Sequence, residues 1–300
     1  HARPTTAFLA NALRMSFASP AEYVAQPDRA TISWRARGGS ALIRFFAFAD
    51  KSSLNPNNHD FYIIARQPGA ENPSIPTWAS HSDNPAALAD TAPLPVERSE
   101  VTGVPGTFQL LNVLAPDECE RLIGLTERLG YLADAAVSLP RSVRHNDSTT
   151  WVADDITADL LWQRCRPHIL ASDDSGGKQA VGLNARFRFY RYGEGDYFGP
   201  HTDGSWPGSR VVDGKLIDNA YDDRWSQLTF LLFLSADFTG GAPRFYSQAS
   251  TPHEHVDVRT PLGGALCFPH GMHPLHCVHG SEPISSGVKY IIRSDVLFEL

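Results

Sequence analysis

Beyond Gly182 the chain is written almost wholly in short strand-like segments. They fall at 185–192, 228–235, 242–246, 255–259, 265–268 and 288–298, with Gly, Pro and Asp clustered between them. Strands this short cannot bury an apolar face singly, so they must close into a sandwich or jelly roll. Only two upstream segments carry a helical period. Over 116–129, Cys119, Leu122, Leu125 and Leu129 recur at spacings of three and four. Pro116 with the early acids suits a helix start, and Gly130 suits its stop. Over 157–170, Leu161, Cys165 and Ile169 lie four apart, and Pro167 should kink this helix or mark its last turn. Helices first and strands after is the order of an α+β domain.

The first hundred residues read differently. Strand-like runs at 30–36, 41–49 and 60–66 open the body of the chain, the first two joined through Gly38-Gly39, a hairpin signal. From Gln67 to about Pro105 the composition turns to Pro, Ala, Ser and Asn, which reads as an irregular connector. We therefore expect a small β-rich accessory region over 1–104 and the main domain over 105–300. Inside that domain, 211–217 reads as a small hairpin turning on Asp213-Gly214.

Composition excludes several classes of partner. A net charge of −7 leaves no basic footprint for nucleic acid. No apolar run reaches the roughly 18 residues of a membrane helix. Cys119, Cys165, Cys267 and Cys277 are scattered and fit no disulfide framework, so a reducing, cytoplasmic setting is expected. Arg3 and Arg14 precede the first acid, Glu22, which resembles a transit segment; a tag remnant fits as well. Oligomeric state is not legible.

His-x-Asp occurs four times, at His81, His145, His201 and His255. His81-Ser-Asp83 lies in a turn-like stretch, and His145-Asn-Asp147 lies in a polar run, 144–150, that reads as loop. His255-Val-Asp257 is strand-like, but Glu254 and Arg259 suggest a solvent-facing edge. Only His201-Thr-Asp203 follows an aromatic strand and a rigid Gly-containing turn, where a scaffold can hold ligands. On a strand-like segment, residues two apart project to one face, so His201 and Asp203 can bind one ion. For a third ligand, His270, His273, His276 and His279 recur every third residue, with Cys277 among them. A zinc cluster is one reading of that run, but Pro274 opposes a helix that would align all four, and no second Cys/His cluster has finger spacing. Lys289 lies ten positions after His279. Two histidines and one carboxylate are the ligand set of non-heme Fe(II) oxygenases.

Three stretches carry a resemblance: RFYRYGEGDYFGPHTD at 188–203, LTFLLFLS at 228–235 followed by Gly240-Gly241, and HGSEPISSGVKYIIRSDV at 279–296. Together they resemble the prolyl 4-hydroxylase-like Fe(II)/2-oxoglutarate-dependent dioxygenases over about 107–298. The resemblance implies a double-stranded β-helix core with flanking helices and iron at its open mouth. It selects His279 as third ligand, with His276 in reserve, and leaves the remaining histidines as loop residues. It also implies that Lys289 and Tyr192 hold 2-oxoglutarate, with Phe233 standing where some relatives have a second tyrosine. Retention of Asp203 favours hydroxylation over halogenation. The implied reaction hydroxylates an unactivated C–H of a prolyl-type peptide, amino-acid-like or natural-product substrate, consuming O2 and releasing succinate and CO2, with ascorbate as a possible reductant.

Strand parity places Arg188 and Tyr190 on the face of Tyr192, and Arg293 on that of Lys289. Arg188 and Arg293 are candidates to clamp a substrate carboxylate; pairing with nearby acids is the alternative. The polar segments 141–155 and 204–224, with Trp151, Trp206 and Trp225 in or beside them, read as lids or exposed loops. Two other functions compete with the hydroxylase. A cupin-type metalloenzyme would want Glu shortly after His253-x-His255, where Arg259 and Thr260 stand. A non-catalytic binding protein on the same fold would use the first hundred residues for recognition.

Overall fold

Clustering of contacts divides the chain into two units, His1–Asp50 and Lys51–Leu300. The computed structural model describes residues 22–26, 29–34, 43–46, 60–136, 139–169, 177–246 and 255–300. In the first unit, β1 (Glu22–Gln26), β2 (Arg29–Trp34) and β3 (Ile43–Phe46) form an antiparallel sheet in chain order. Strands β2 and β3 answer the runs expected at 30–36 and 41–49; the glycine pair between them lies outside the described residues.

The second unit opens with β4 (Phe61–Gln67), β5 (Ile75–Ser80), β6 (Glu97–Glu100) and β7 (Phe108–Leu111), then helix α1 (Pro116–Leu129). Next come β8 (Arg144–His145), β9 (Asp147–Val152), helix α2 (Asp155–Cys165) and a 3-10 turn at Arg166–His168. The 3-10 turn is where Pro167, lacking an N–H, ends the α-helix. After them run β10 (Ala180–Leu183), β11 (Arg186–Tyr192), β12 (Tyr197–His201), β13 (Arg210–Val212), β14 (Lys215–Ile217), β15 (Arg224–Phe233) and β16 (Phe238–Gly240). The chain finishes with β17 (Pro243–Tyr246), β18 (His255–Asp257), β19 (Ala265–Pro269), β20 (His279–Ser281), β21 (Ile284–Gly287) and β22 (Lys289–Glu299).

Two sheets make the body. One follows the order β4-β5-β9-β11-β22-β15-β19-β7-β6, with β10 added on β22; the other runs β18-β17-β20-β12-β8. The central strands are buried on both faces, and their side chains sort by parity. Phe187, Phe189, Leu228, Phe230, Leu232, Cys267 and Ile292 join Leu122, Leu129, Leu161 and Trp162 of the helices in one core. Tyr190, Tyr192, Leu231, Phe233, Leu266, Phe268 and Ile291 join Phe245 and Phe198 of the smaller sheet in the other. Helices thus cover one side of the large sheet and the small sheet covers the other, which is the jelly-roll arrangement expected of an α+β chain. The helix layer is pinned by a buried fork: Arg164 donates to both carboxylate oxygens of Glu118, at 2.8 and 2.9 Å. Glu118 also accepts from the Ala115 N–H at the start of α1.

Two expectations need correction. The stretch from Gln67 to Pro105 is not an irregular connector: β5 is almost wholly buried, and Ala86 and Leu88 lie in the core. Strand β5 pairs with β4 on one side and runs parallel to β9 through Thr77 and Trp78 on the other. Its apolar residues are spaced among Pro and Ser, which masked the strand. Similarly, 144–150 is not loop, nor is 141–155 a lid. Every residue of β9 is buried, Asp147 held by Arg191 at 2.8 Å and Trp151 fully inside the core. The 211–217 hairpin is present as β13–β14, with positive φ at both Asp213 and Gly214 as a type I′ turn requires.

Candidate metal centre and co-substrate cavity

His201 and His279 are directly opposite one another where β12 pairs with β20. That single register brings together imidazoles 78 positions apart in the chain. Gly280 permits it, because a Cβ there would lie 2.7 Å from the backbone oxygen of Phe198 on β12. Asp203 follows β12 by two residues, its carbonyl accepting from the Gly271 N–H at 3.0 Å. One ligand atom from each of His201, Asp203 and His279 falls within 4.8 Å of the others. His201 Nε2 lies 3.7 Å from Asp203 Oδ1, and His279 Nε2 lies 3.6 Å from Asp203 Oδ2. These separations are too long for hydrogen bonds. They approach the spacing of neighbouring ligands that each sit about 2.1 Å from one ion.

The surroundings set the ligands' protonation. His201 Nδ1 meets the carbonyl of Gly199 at 2.8 Å, and His279 Nδ1 meets that of Cys277 at 3.3 Å. A carbonyl only accepts, so each Nδ1 carries the proton and each Nε2 offers its lone pair to the shared space. Burial brings His279 down to about 4, against a smaller upward pull from Asp203. Burial opposes ionisation of Asp203, yet the imidazoles of His279, His201 and His270 and the hydroxyl of Thr229 hold it below its usual value. Two imidazole Nε2 atoms beside a carboxylate fit a divalent cation.

Behind Asp203 runs a relay. Thr229 Oγ1 donates to Asp203 Oδ2 at 2.6 Å and also meets His270 Nδ1 at 2.8 Å. A hydroxyl has one proton, so His270 Nδ1–H donates to Thr229. On its other side His270 Nε2 lies 2.9 Å from Ser226 Oγ. Oδ2 is thereby engaged, with Arg293 Nη2 a further 3.4 Å off, and Oδ1 is left for an ion. His270 does lie in a loop, directly after β19, yet it is buried and orients a ligand. The lone hydroxyl of Thr229 in the apolar run of β15 is the signal that could have exposed it.

The ligands open into a cavity of about 210 Å3, lined also by Arg144, Arg188, Tyr190, Tyr192, Trp206, Lys289 and Arg293. Lys289 begins β22, opposite Tyr192 on β11, and is almost completely buried. Its ammonium donates to Gly241 O at 2.7 Å and Ser281 Oγ at 2.9 Å, and faces the Tyr192 ring at 4.7 Å. No carboxylate lies within 4.0 Å of it among the described residues. Burial, with the Arg259 charge second, lowers it to about 7. Such a cation lacks only an anion.

The other expected residues are dispersed. Tyr190 and Arg188 line the cavity from β11, and Trp206 stacks 4.8 Å over the Arg188 guanidinium. Arg293 lies 3.0 Å from Asp295, so its charge is engaged within the protein. His276 stands outside the ligand group, as do His145, bonded to Asp196, and His255, on β18. Arg144, also in the cavity, was missed because its segment reads as loop.

Comparison with known proteins bears on the segment that carries the site. The model of the 2OG-Fe(II) oxygenase superfamily matches residues 187–294, the stretch holding all three ligands and Lys289. This segment is a 2OG-Fe(II) oxygenase domain. Similar solved structures include the 2OG complex of a viral collagen prolyl hydroxylase from Paramecium Bursaria Chlorella virus-1, with 16% identity, 69% of this chain and 98% of that one covered, and a TM-score of 0.40. A Pseudomonas putida prolyl-4-hydroxylase is also 16% identical, covering 64% and 91%, with a TM-score of 0.41. A Trichoplax adhaerens prolyl hydroxylase, solved with a hypoxia inducible factor peptide fragment, shares 16%, covering 65% and 83%, at 0.42. No curated protein matches. No described helix is long and apolar enough to cross a membrane.

Proposed function

We propose that the protein is an Fe(II)- and 2-oxoglutarate-dependent hydroxylase in which His201, Asp203 and His279 hold the iron. Lys289 and Tyr192 receive the distal carboxylate of 2-oxoglutarate. The observation that carries this reading is the buried Lys289 ammonium, lining the same cavity as the three ligands with two neutral acceptors and no acid. An uncompensated buried charge is costly, and a dicarboxylate co-substrate offsets that cost when bound. When present, the iron and co-substrate supply O2 activation, with 2-oxoglutarate leaving as succinate and CO2. The protein's own part is to present three deprotonated ligand atoms, fix Asp203 through Thr229 and His270, anchor one carboxylate and enclose the reacting space.

The substrate is a prolyl-type peptide, an amino-acid-like molecule or a natural product, with Tyr190, Arg188 and Arg293 at its wall; ascorbate serves as reductant. We assign catalysis to 105–300 and an accessory role to 1–104. That division concerns function rather than packing, since β4, β5 and β6 share the main sheet. The test is succinate formation from 2-oxoglutarate by the Fe(II)-loaded protein. It should be lost in His201→Ala, Asp203→Ala and His279→Ala; persistence in any of these rejects the ligand assignment.

A further inference from the structure

The cavity holds more positive charge than the proposed iron and co-substrate engage. Arg144, on β8, is buried and lines the cavity, yet its side chain makes no hydrogen bond or ion pair among the described residues. Its Nε is buried without a partner, and its guanidinium rests 5.4 Å over the Tyr190 ring. Arg188 is equally buried, and its Nη2 also has no partner. The nearest acid to Arg188 is Asp295, 4.0 Å away, and that carboxylate stands closer to Arg293, at 3.0 Å. Arg188 and Arg293 are directly opposite across β11 and β22, where like charges repel.

Other buried arginines of this protein hydrogen-bond an acid, although Arg164 Nε and Arg186 Nε are likewise without a partner. Arg164 forks onto Glu118, and Arg186, next on the same face of β11, bonds Asp218 and Gln67. What sets Arg144 and Arg188 apart is that neither guanidinium hydrogen-bonds an acid among the described residues, and both line one cavity. Each has an aromatic ring against it, Tyr190 or Trp206, which leaves N–H groups for a ligand. A guanidinium edge matches the two oxygens of a carboxylate.

We infer that Arg144 and Arg188 form an anion subsite that binds a carboxylate of the hydroxylated substrate. The subsite rests on the 2-oxoglutarate reading above, because that co-substrate's own carboxylates are taken by Lys289 and the metal. The cavity, about 210 Å3, also has to hold the metal and co-substrate, so only a small part of the substrate, its carboxylate included, is enclosed. The substrate class is accordingly a compound that presents a free carboxylate.

The experiment uses full-length protein loaded with redox-inert Zn(II) and saturated with 2-oxoglutarate. It is titrated with N-acetyl amino acids and with the matching carboxamides, following melting temperature and heat of binding. Wild type should respond to carboxylates and not to carboxamides. Arg144→Met and Arg188→Met should each weaken the response about tenfold or more, the loss of one charge-assisted contact. The ligand-free Arg144→Met protein should melt no lower than wild type, since an unpaired buried cation is removed. A merely structural arginine would instead lower that melting point. Equal response to acids and amides, no response to either, or an unchanged response in Arg144→Met overturns the subsite. Failure of 2-oxoglutarate itself to stabilise wild type through Lys289 would instead overturn the underlying reading.

Discussion

Lys289 is where the chemistry is most exposed to test at the scale of a residue. Its folded value, about 7, lies below the ordinary 10.5, so the penalty of burying its charge is complete below pH 7. That penalty is relieved as the pH rises from 7 towards 10.5, and the ligand-free protein should gain stability across this window. Binding a carboxylate requires the ammonium, so above pH 7 it must take up a proton. Affinity for 2-oxoglutarate should then fall with rising pH, approaching about tenfold per unit. Calorimetry across that range should show this, and Lys289→Met should bind weakly and without the trend; a flat wild-type profile would refute it. Thr229→Val leaves a ligand oxygen unheld and His270 without its acceptor. Metal affinity should drop about 10–100-fold, measured by competition with a chelator. The same affinity in Thr229→Val would remove the relay from the account.

At the scale of elements, the site depends on one cross-strand register. Gly280→Ala forces a Cβ against the backbone of β12, which cannot swing aside as a side chain can. Both melting temperature and metal affinity should fall, and loss of neither would mean that the β12–β20 pairing is less strict than described. The Glu118–Arg164 fork joins α1 to α2. Glu118→Gln strands a buried guanidinium and should cost about 3–5 kcal/mol in denaturant unfolding.

What could be read beforehand follows from these same elements. His201, Asp203, His279 and Lys289 were legible because period-two strands and a fixed interval leave marks in the sequence. Arg144, His270 and β9 were not. Arg144 and the polar side chains of β9 are buried by neighbours remote in the chain, and polar residues beside glycine or proline read as loop until those neighbours are known. The orienting role of His270 likewise depends on Thr229, 41 positions away. β5 was hidden by proline and serine in a strand that supplies only a short ladder to β9.

For the whole molecule, the two units predict a boundary different from that suggested by composition. Removing residues 1–50 should leave a folded, metal-binding protein, because the remaining residues form a unit of their own. Removing residues 1–104 takes away β4, β5 and β6, uncovering β9 on one flank of the main sheet and β7 on the other. That shorter chain should aggregate, since exposed apolar edges recruit further strands. Size-exclusion chromatography of the two truncations distinguishes these outcomes, and a soluble, monodisperse 105–300 would contradict them.

The most direct measurement is anomalous diffraction from crystals grown with Mn(II) and 2-oxoglutarate. The account predicts one peak per chain, bound by His201 Nε2, Asp203 Oδ1 and His279 Nε2, with a co-substrate carboxylate on Lys289 Nζ. A peak held by any other ligand set, or a carboxylate bound away from Lys289, would contradict it.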